Sequence, residues 1–200
     1  MTQAVLPLRG KILNVASAGK DKLSANQQIS DLVRAIGCGM GTSYREEDLR
    51  YEKIVIMTDA DVDGAHIASL LMTFFYRQMP KIIEQGHLFL AVPPLYRLTQ
   101  GGKTFYARDE VERDRLLQTI GGRGKIEVGR FKGLGEMMAA QLKETTMDPA
   151  RRTLLRVTMD EAAHADRAKS VEQLMGNKPE ERFNFITARA AFVSTSELDV

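Results

Sequence analysis

The sequence predicts an α/β fold: a parallel sheet flanked by helices, followed by a smaller, mostly helical α+β tail. Residues 54–57 form an unbroken β-branched and apolar run, which is typical of a strand buried on both faces of a sheet. A helical pattern over 65–79 and a second apolar strand over 87–92 complete a βαβ unit. We place the domain boundary so that residues 1–98 form the α/β domain and residues 99–200 the tail.

The composition is that of a globular chain. Of the 200 residues, 44% are hydrophobic and 27% are charged, which excludes a disordered chain, and the formal net charge of +2 confines any basic surface to a local patch. No apolar run approaches the roughly 20 residues that a membrane helix needs. The single cysteine, Cys38, excludes an internal disulfide, fits a cytoplasmic location and is expected to be a passive thiol.

The first fifty residues predict a basic extended segment and one helix. Residues 5–15 are predicted to form a strand and a loop, and Lys11 lies in this segment beside a glycine, where a phosphate could approach closely. A helix is predicted from Ser24 to Ile36, because apolar residues recur at helical spacing and Ser24 with Gln27 has the sequence of a capping box.

Three aspartates follow the 54–57 strand at alternate positions. Asp59, Asp61 and Asp63 precede Gly64, and ligand sites of open α/β sheets lie beyond the carboxyl ends of the strands. Three carboxylates at one place repel one another unless a cation lies between them. Oxygen-only ligands favour Mg²⁺, with Mn²⁺ or Ca²⁺ as substitutes, so these aspartates predict a divalent-metal site.

Three other interpretations of the same aspartates remain open. An EF-hand loop would need a glutamate where Leu70 stands and a helix where the strand is predicted. A haloacid dehalogenase-like aspartyl phosphatase would use Asp59 as nucleophile and Asp61 as general acid. The simplest interpretation is a strand-to-helix turn capped by Asp63. His66, in the first turn of the following helix, is a candidate contact residue beside the aspartates.

The second half of the chain predicts a hairpin, a basic loop and helices. Residues 95–98 and 103–107 flank Gln100-Gly101-Gly102 as a β-hairpin, and Asp109 begins a helix. The glycine- and cation-rich run 123–137 indicates either a flexible turn or a loop along a nucleic-acid backbone. Helices follow from 139, with a short strand over 154–158, and Arg182 is expected to be exposed on the last helix.

Four runs of the chain match one protein family in the same order. They are Pro7–Val15, Met57–Ile67, Pro93–Tyr96 and Arg130–Met137. On these runs the chain resembles the carboxyl-terminal part of the B subunit of bacterial type IIA DNA topoisomerases, which comprises the Rossmann-like Toprim domain and the tail after it. Phe131, Gly64–Ser69 and Lys178–Phe183 resemble the topoisomerase IV type more than DNA gyrase.

The resemblance implies a reaction and a set of site residues. Such enzymes break both strands of one duplex, pass a second duplex through the gap and reseal it, driven by ATP. It implies that Asp59 and Asp61 are catalytic Mg²⁺ ligands and that Asp63 supports them. The residues expected to touch double-stranded DNA are Lys11, Asn14, His66 and Arg182.

The resemblance also implies that several parts of the machinery lie elsewhere. The family's Glu-Gly-Asp-Ser motif comes before the run that begins at Pro7, and the ATP-binding domain lies further upstream. The nucleophilic tyrosine belongs to an A subunit, and two A and two B subunits form a heterotetramer. We therefore expect the 200-residue chain alone neither to cleave DNA nor to hydrolyse ATP.

Overall fold

A computed structural model describes residues 3–121, 124–159 and 164–190. The helices in these ranges are α1 Lys20–Ala25, α2 Gln27–Ile36, α3 Val62–Gln78, α4 Pro80–Glu84, α5 Glu110–Thr119, α6 Ala139–Leu142, α7 His164–Met175 and α8 Pro179–Ala190. The strands are β1 Ile54–Ile56, β2 Leu88–Ala91, β3 Tyr96–Gln100, β4 Lys103–Ala107, β5 Glu127–Arg130 and β6 Leu154–Arg156.

The chain forms two compact units that alternate along the sequence. The first consists of Met1–Arg50, Leu70–Lys81 and Thr158–Val200, and the second of Tyr51–Ser69 and Ile82–Val157. The sequence-based domain boundary at residue 98 is a different division of the chain, and it stays a prediction.

The sheet that carries the aspartates has the strand order β1-β2-β6. β1 and β2 are parallel, with Ile54 opposite Leu88, so the predicted βαβ unit is confirmed. β6 is antiparallel to β2, with Leu155 opposite Leu90, and the sheet is therefore mixed. The predicted α/β class, with a sheet flanked by helices, is confirmed, and the parallel pair β1-β2 is extended by one antiparallel strand. The antiparallel neighbour could not be predicted from the apolar runs, because such runs are typical of parallel strands and β6 is a short strand from a distant part of the chain.

Helix α3 follows β1 and begins earlier than the helical pattern predicts, at Val62 instead of Ala65. The helical spacing predicts a buried stripe of Ile67, Leu70, Leu71, Phe74 and Phe75. Ile67 is partly buried and the other four are buried, and the two phenylalanine rings meet edge to face with centroids 5.3 Å apart. Thr73, which the pattern places off the stripe, is also buried, so this part of the helix is covered over more of its surface than an amphipathic pattern indicates.

The predicted single helix over 24–36 is two helices. α1 ends at Ala25 and α2 begins at Gln27, and the Oδ1 atom of Asn26 accepts a hydrogen bond from Ile29 N at 3.0 Å. The Ser24 and Gln27 capping box is therefore wrong. Asparagine is among the best N-caps because its short side chain reaches backbone N–H groups, and this competes with helix continuation.

We expect Asn26→Ala to destabilise the chain by about 1 kcal/mol, because an N–H at the start of α2 loses its acceptor. The measurement is the free energy of unfolding in urea. Ser24→Ala is the matched control, since the Ser24 hydroxyl donates to Asp21 O at an exposed position, and its effect should lie within about 0.5 kcal/mol. A larger loss at Ser24 than at Asn26 would restore the capping box.

A second sheet has the order β4-β3-β5, and all its pairs are antiparallel. The predicted hairpin is confirmed: β3 and β4 are joined by Gly101 and Gly102 with φ of 56° and 80°, a conformation that suits glycine in a two-residue turn. The core of the hairpin consists of the buried residues Tyr96, Leu98 and Ala107. The sequence predicts a turn or loop over the run 123–137, but residues 127–130 pair with β3 as β5.

No helix within the described residues is long and apolar enough to cross a membrane. Cys38 is buried, and burial raises the pKa of its thiol above the ordinary value. A thiol that resists ionisation is a poor nucleophile, in agreement with the passive role expected from the sequence.

Candidate metal and nucleic-acid site

Asp59 follows β1 and contacts a segment that lies 75 residues further along the chain. Its Oδ1 atom accepts a hydrogen bond from the backbone N–H of Leu134, with a nitrogen–oxygen distance of 2.7 Å. A bond of this length between an N–H and a carboxylate belongs to the stronger, charge-assisted class. The aspartate motif after β1 and the glycine-rich motif after β5 are thus parts of one site.

Two glycines make room for Asp59. A Cβ atom on Gly64 would lie 2.0 Å from the backbone O of Asp59, and a Cβ on Gly133 would lie 3.0 Å from both Cγ and Oδ1 of its carboxylate. Any side chain at Gly64 would collide with backbone, whereas one at Gly133 would press on the carboxylate. Glycine at these positions lets α3 and the glycine-rich segment approach Asp59 from two directions.

Asp61 has a local structural role at the start of α3. Its Oδ1 accepts a hydrogen bond from Gly64 N at 2.6 Å, and its backbone O accepts one from Ala65 N at 2.9 Å. These are the contacts of a helix N-cap. The simplest sequence interpretation is therefore correct about a cap but wrong about the residue, because Asp61 and not Asp63 provides it.

The described residues do not bring the three aspartate side chains together as a metal-binding group. Among residues 3–121, 124–159 and 164–190, no three His, Cys, Asp or Glu side chains are arranged to hold a metal ion. Asp59 and Asp61 are exposed and are held by different N–H groups, while Asp63 belongs to the first turn of α3. The three-aspartate cluster is thus not formed, and a metal role for these residues stays a prediction.

Each of the two exposed aspartates still has the chemistry of a hard-cation ligand. In Asp59 and Asp61 the backbone N–H contacts engage Oδ1, and within the described chain Oδ2 has no hydrogen-bond partner in either residue. Carboxylate oxygens exposed to solvent are the donors that Mg²⁺ prefers, since it keeps several waters and takes few protein ligands. The chemistry of the Asp59 and Asp61 side chains therefore fits Mg²⁺ as a ligand.

The predicted DNA-contact residues fall into both compact units. His66 is exposed near the start of α3, in the same unit as Asp59 and Asp61. Lys11 is exposed in the other unit, in a segment that has no strand where the sequence predicts one. Exposure of both side chains is what a phosphate contact requires.

Asn14 and Arg182 bind backbone carbonyls of their own unit. The Asn14 amide donates to Met175 O at 2.8 Å, and its Oδ1 accepts from Ala16 N at 3.0 Å. Arg182 donates to Leu174 O at 3.2 Å and is half-buried, so the expectation that it is exposed is wrong. The guanidinium turns back onto the end of the preceding helix because C-terminal carbonyls of a helix lack partners within it.

The sequence does not indicate that Gly133 and Leu134 contact Asp59. Their run stands out for glycine and positive charge, and the contact is made by backbone atoms, which any residue possesses. The available signal is the Gly-Leu-Gly spacing, since a glycine often marks a close approach of backbone to another group. That signal does not identify the partner.

The two segments that the Asp59–Leu134 hydrogen bond joins match two known protein families. Residues 1–92 match the Toprim domain family, and residues 123–187 match the family described as DNA gyrase B subunit, carboxyl terminus. The chain belongs to the B-subunit family of type IIA DNA topoisomerases. The Asp59–Leu134 hydrogen bond joins the Toprim part to the gyrase B carboxyl-terminal part.

Individual relatives of this topoisomerase B-subunit family are similar over nearly the whole chain. The B subunit of DNA topoisomerase 4 from Bartonella bacilliformis is 62% identical over 98% of the chain, and that from Caulobacter vibrioides is 63% identical over 99%. The DNA gyrase B subunit of Treponema denticola is 48% identical over 96%. The chain spans about 28% of the length of each topoisomerase 4 relative and 30% of the gyrase relative.

Proposed function

We propose that this chain provides the metal-holding part of a topoisomerase IV B subunit, which cleaves and religates both strands of DNA together with an A subunit. The complete enzyme would relax and decatenate DNA in the cytoplasm at the expense of ATP, as a heterotetramer of two A and two B subunits. The two family matches and the higher identity to topoisomerase 4 relatives support this proposal.

The observation that carries the proposal is the hydrogen bond between Asp59 and Leu134. It joins the aspartate motif after β1 to the glycine-rich motif after β5, and the aspartyl phosphatase interpretation gives the second motif no role. A site for phosphodiester chemistry needs a carboxylate held in a fixed direction at the surface, where a long duplex can reach it. Asp59 is exposed and has one oxygen held by an N–H group, which meets both conditions.

Within this proposal, Asp59 and Asp61 would hold Mg²⁺. The cation would neutralise charge on the oxygens of the scissile phosphate when bound. Asp63 supports the other two from the first turn of α3. The chain's own backbone N–H groups at Leu134 and Gly64 keep both carboxylates in place while DNA binds.

The cationic and polar residues are proposed to position the DNA backbone. Lys11 and His66 are exposed and contact phosphates directly. Asn14 and Arg182 act in DNA binding by exchanging their present bonds to Met175 O and Leu174 O, or by fixing the segment around Lys11.

The test uses the full-length protein assembled with its A subunit. We expect ATP- and Mg²⁺-dependent decatenation of interlinked circular DNA without net negative supercoiling. Efficient supercoiling would instead assign the chain to a gyrase B subunit. Hydrolysis of a generic aryl phosphate that Asp59→Asn abolishes would replace both by the aspartyl phosphatase interpretation.

A further inference from the structure

The segment that contacts Asp59 is fixed at both of its ends. Phe131 and Met137 are each only 8% exposed, and Phe131 N donates to Leu95 O at 2.8 Å. β5 brings the chain to this point through its pairing with β3, where Arg130 lies opposite Tyr96. The backbone between Phe131 and Met137 therefore has little freedom to move away from the aspartate.

The segment is also closed by its own hydrogen bonds. Lys132 N donates to Glu136 Oε2 at 2.8 Å, and Glu136 N donates to Gly133 O at 3.2 Å. These bonds fold Leu134–Glu136 into a single 3₁₀ turn in which the N–H of Leu134, its first residue, points outward to Asp59. An N–H at the first position of such a turn has no partner inside it, which leaves it available.

The effect on Asp59 follows from the geometry of a carboxylate. Rotation about its last torsion is broad and nearly two-fold, so a free aspartate presents either oxygen in many directions. A 2.7 Å bond from Leu134 N fixes Oδ1, and Gly133 leaves the space in which the carboxyl group lies. Because Oδ1 is fixed, Oδ2 also has a fixed direction. The Asp59 side chain therefore loses no further conformational freedom when a ligand binds to Oδ2.

We propose that Gly133 and the Leu134 N–H are positioning elements that hold Asp59 ready for a divalent cation. This inference rests on the proposed function. Both act through Asp59 and touch neither the cation nor the DNA. Groups that orient a metal ligand from behind commonly change metal affinity roughly 10- to 100-fold.

Leu134→Pro removes the donor with little other change to the backbone. Proline is tolerated at the first position of a helical turn, and Gly133, with φ of −170° and ψ of 172°, already has the extended conformation that precedes proline. Leu134→Ala is the matched control, because it truncates the side chain and keeps the N–H. The difference between the two variants measures the N–H alone.

The first readout is the Mg²⁺ concentration that half-saturates DNA cleavage by the full-length enzyme with its A subunit. We expect this half-saturating Mg²⁺ concentration to be roughly 10-fold or more higher in Leu134→Pro than in Leu134→Ala. Much of the cleavage rate should be restored at high Mg²⁺. Gly133→Ala should raise it as well, since its Cβ displaces the carboxylate by a few tenths of an ångström.

The second readout needs neither metal nor activity. Amide hydrogen exchange at Leu134 in the 200-residue chain should accelerate at least about 10-fold in Asp59→Ala, because the acceptor of that N–H is lost. It should not change in Asp21→Ala, which removes a carboxylate of the other compact unit. A normal unfolding midpoint for Leu134→Pro confirms that the variant is folded.

The outcomes separate the two proposals. Equal Mg²⁺ dependence in Leu134→Pro and Leu134→Ala, or unchanged exchange at Leu134 in Asp59→Ala, overturns the positioning role while leaving the proposed function intact. A wild-type enzyme that shows no Mg²⁺-dependent cleavage overturns the proposed function, and the positioning role for a cation fails with it.

Discussion

Asp61→Asn in the full-length protein, assembled with its A subunit, should lower Mg²⁺-dependent DNA cleavage at least about 100-fold, which corresponds to about 2.7 kcal/mol of lost transition-state stabilisation. Asp59→Asn should give a loss of the same order. In each variant an uncharged amide replaces the carboxylate proposed to hold the cation. Chelation of Mg²⁺ should abolish cleavage by the wild-type enzyme as well.

Asparagine is chosen because Asp61 also caps α3. The amide oxygen of asparagine can still accept the hydrogen bond from Gly64 N, and the two residues are about equally good N-caps. Asp61→Asn should therefore leave the unfolding midpoint unchanged, whereas Asp61→Ala loses about 1 kcal/mol of stability in addition to the activity. If Asp61→Asn cleaves DNA normally, the aspartate is a cap only and the metal role is refuted.

Gly64→Ala should destabilise the chain by about 3 kcal/mol or more, the upper end of the range for overpacked positions. The added Cβ would lie 2.0 Å from the backbone O of Asp59 and 2.8 Å from its backbone C. Backbone atoms cannot rotate away as a side chain can, so the start of α3 and the segment around Asp59 must separate.

The direction of the stability change in Gly64→Ala tests the described packing, because helix propensity alone predicts that this variant is more stable. Gly64 lies within α3, where alanine is ordinarily more favourable than glycine by about 1 kcal/mol. Urea unfolding measures the difference directly. Gly135→Ala is the control: nothing lies within 4 Å of its Cβ position, and its effect should stay within about 0.5 kcal/mol. A stabilised Gly64→Ala chain would contradict the described packing around Asp59.

Elements with strong local signals can be predicted from the sequence. The apolar run of β1 predicts a strand, the helical spacing of α3 predicts a buried face, and two consecutive glycines predict the turn between β3 and β4. The break at Asn26 escapes prediction because the apolar pattern continues across it, while the cap is made by a single side chain.

Features that depend on distant partners cannot be predicted in this way. β5 lies at the edge of its sheet, with Glu127, Val128 and Arg130 exposed and a glycine at 129, so it lacks both a buried face and strand propensity. It is a strand because β3 offers unpaired backbone groups. The same holds for the site: the aspartates are recognisable, but their separate anchoring to Leu134 N and Gly64 N depends on the fold.

The pairing of β5 with β3 has a consequence for how related chains can differ in size. Arg130 is opposite Tyr96, and Phe131 N binds Leu95 O, so the place at which Leu134 arrives is set by strand register and not by the number of residues in between. Insertions between α5 and β5 would leave the aspartate contact untouched. One added residue inside β5 would reverse the facing of every side chain after it and carry the N–H about 3.3 Å away.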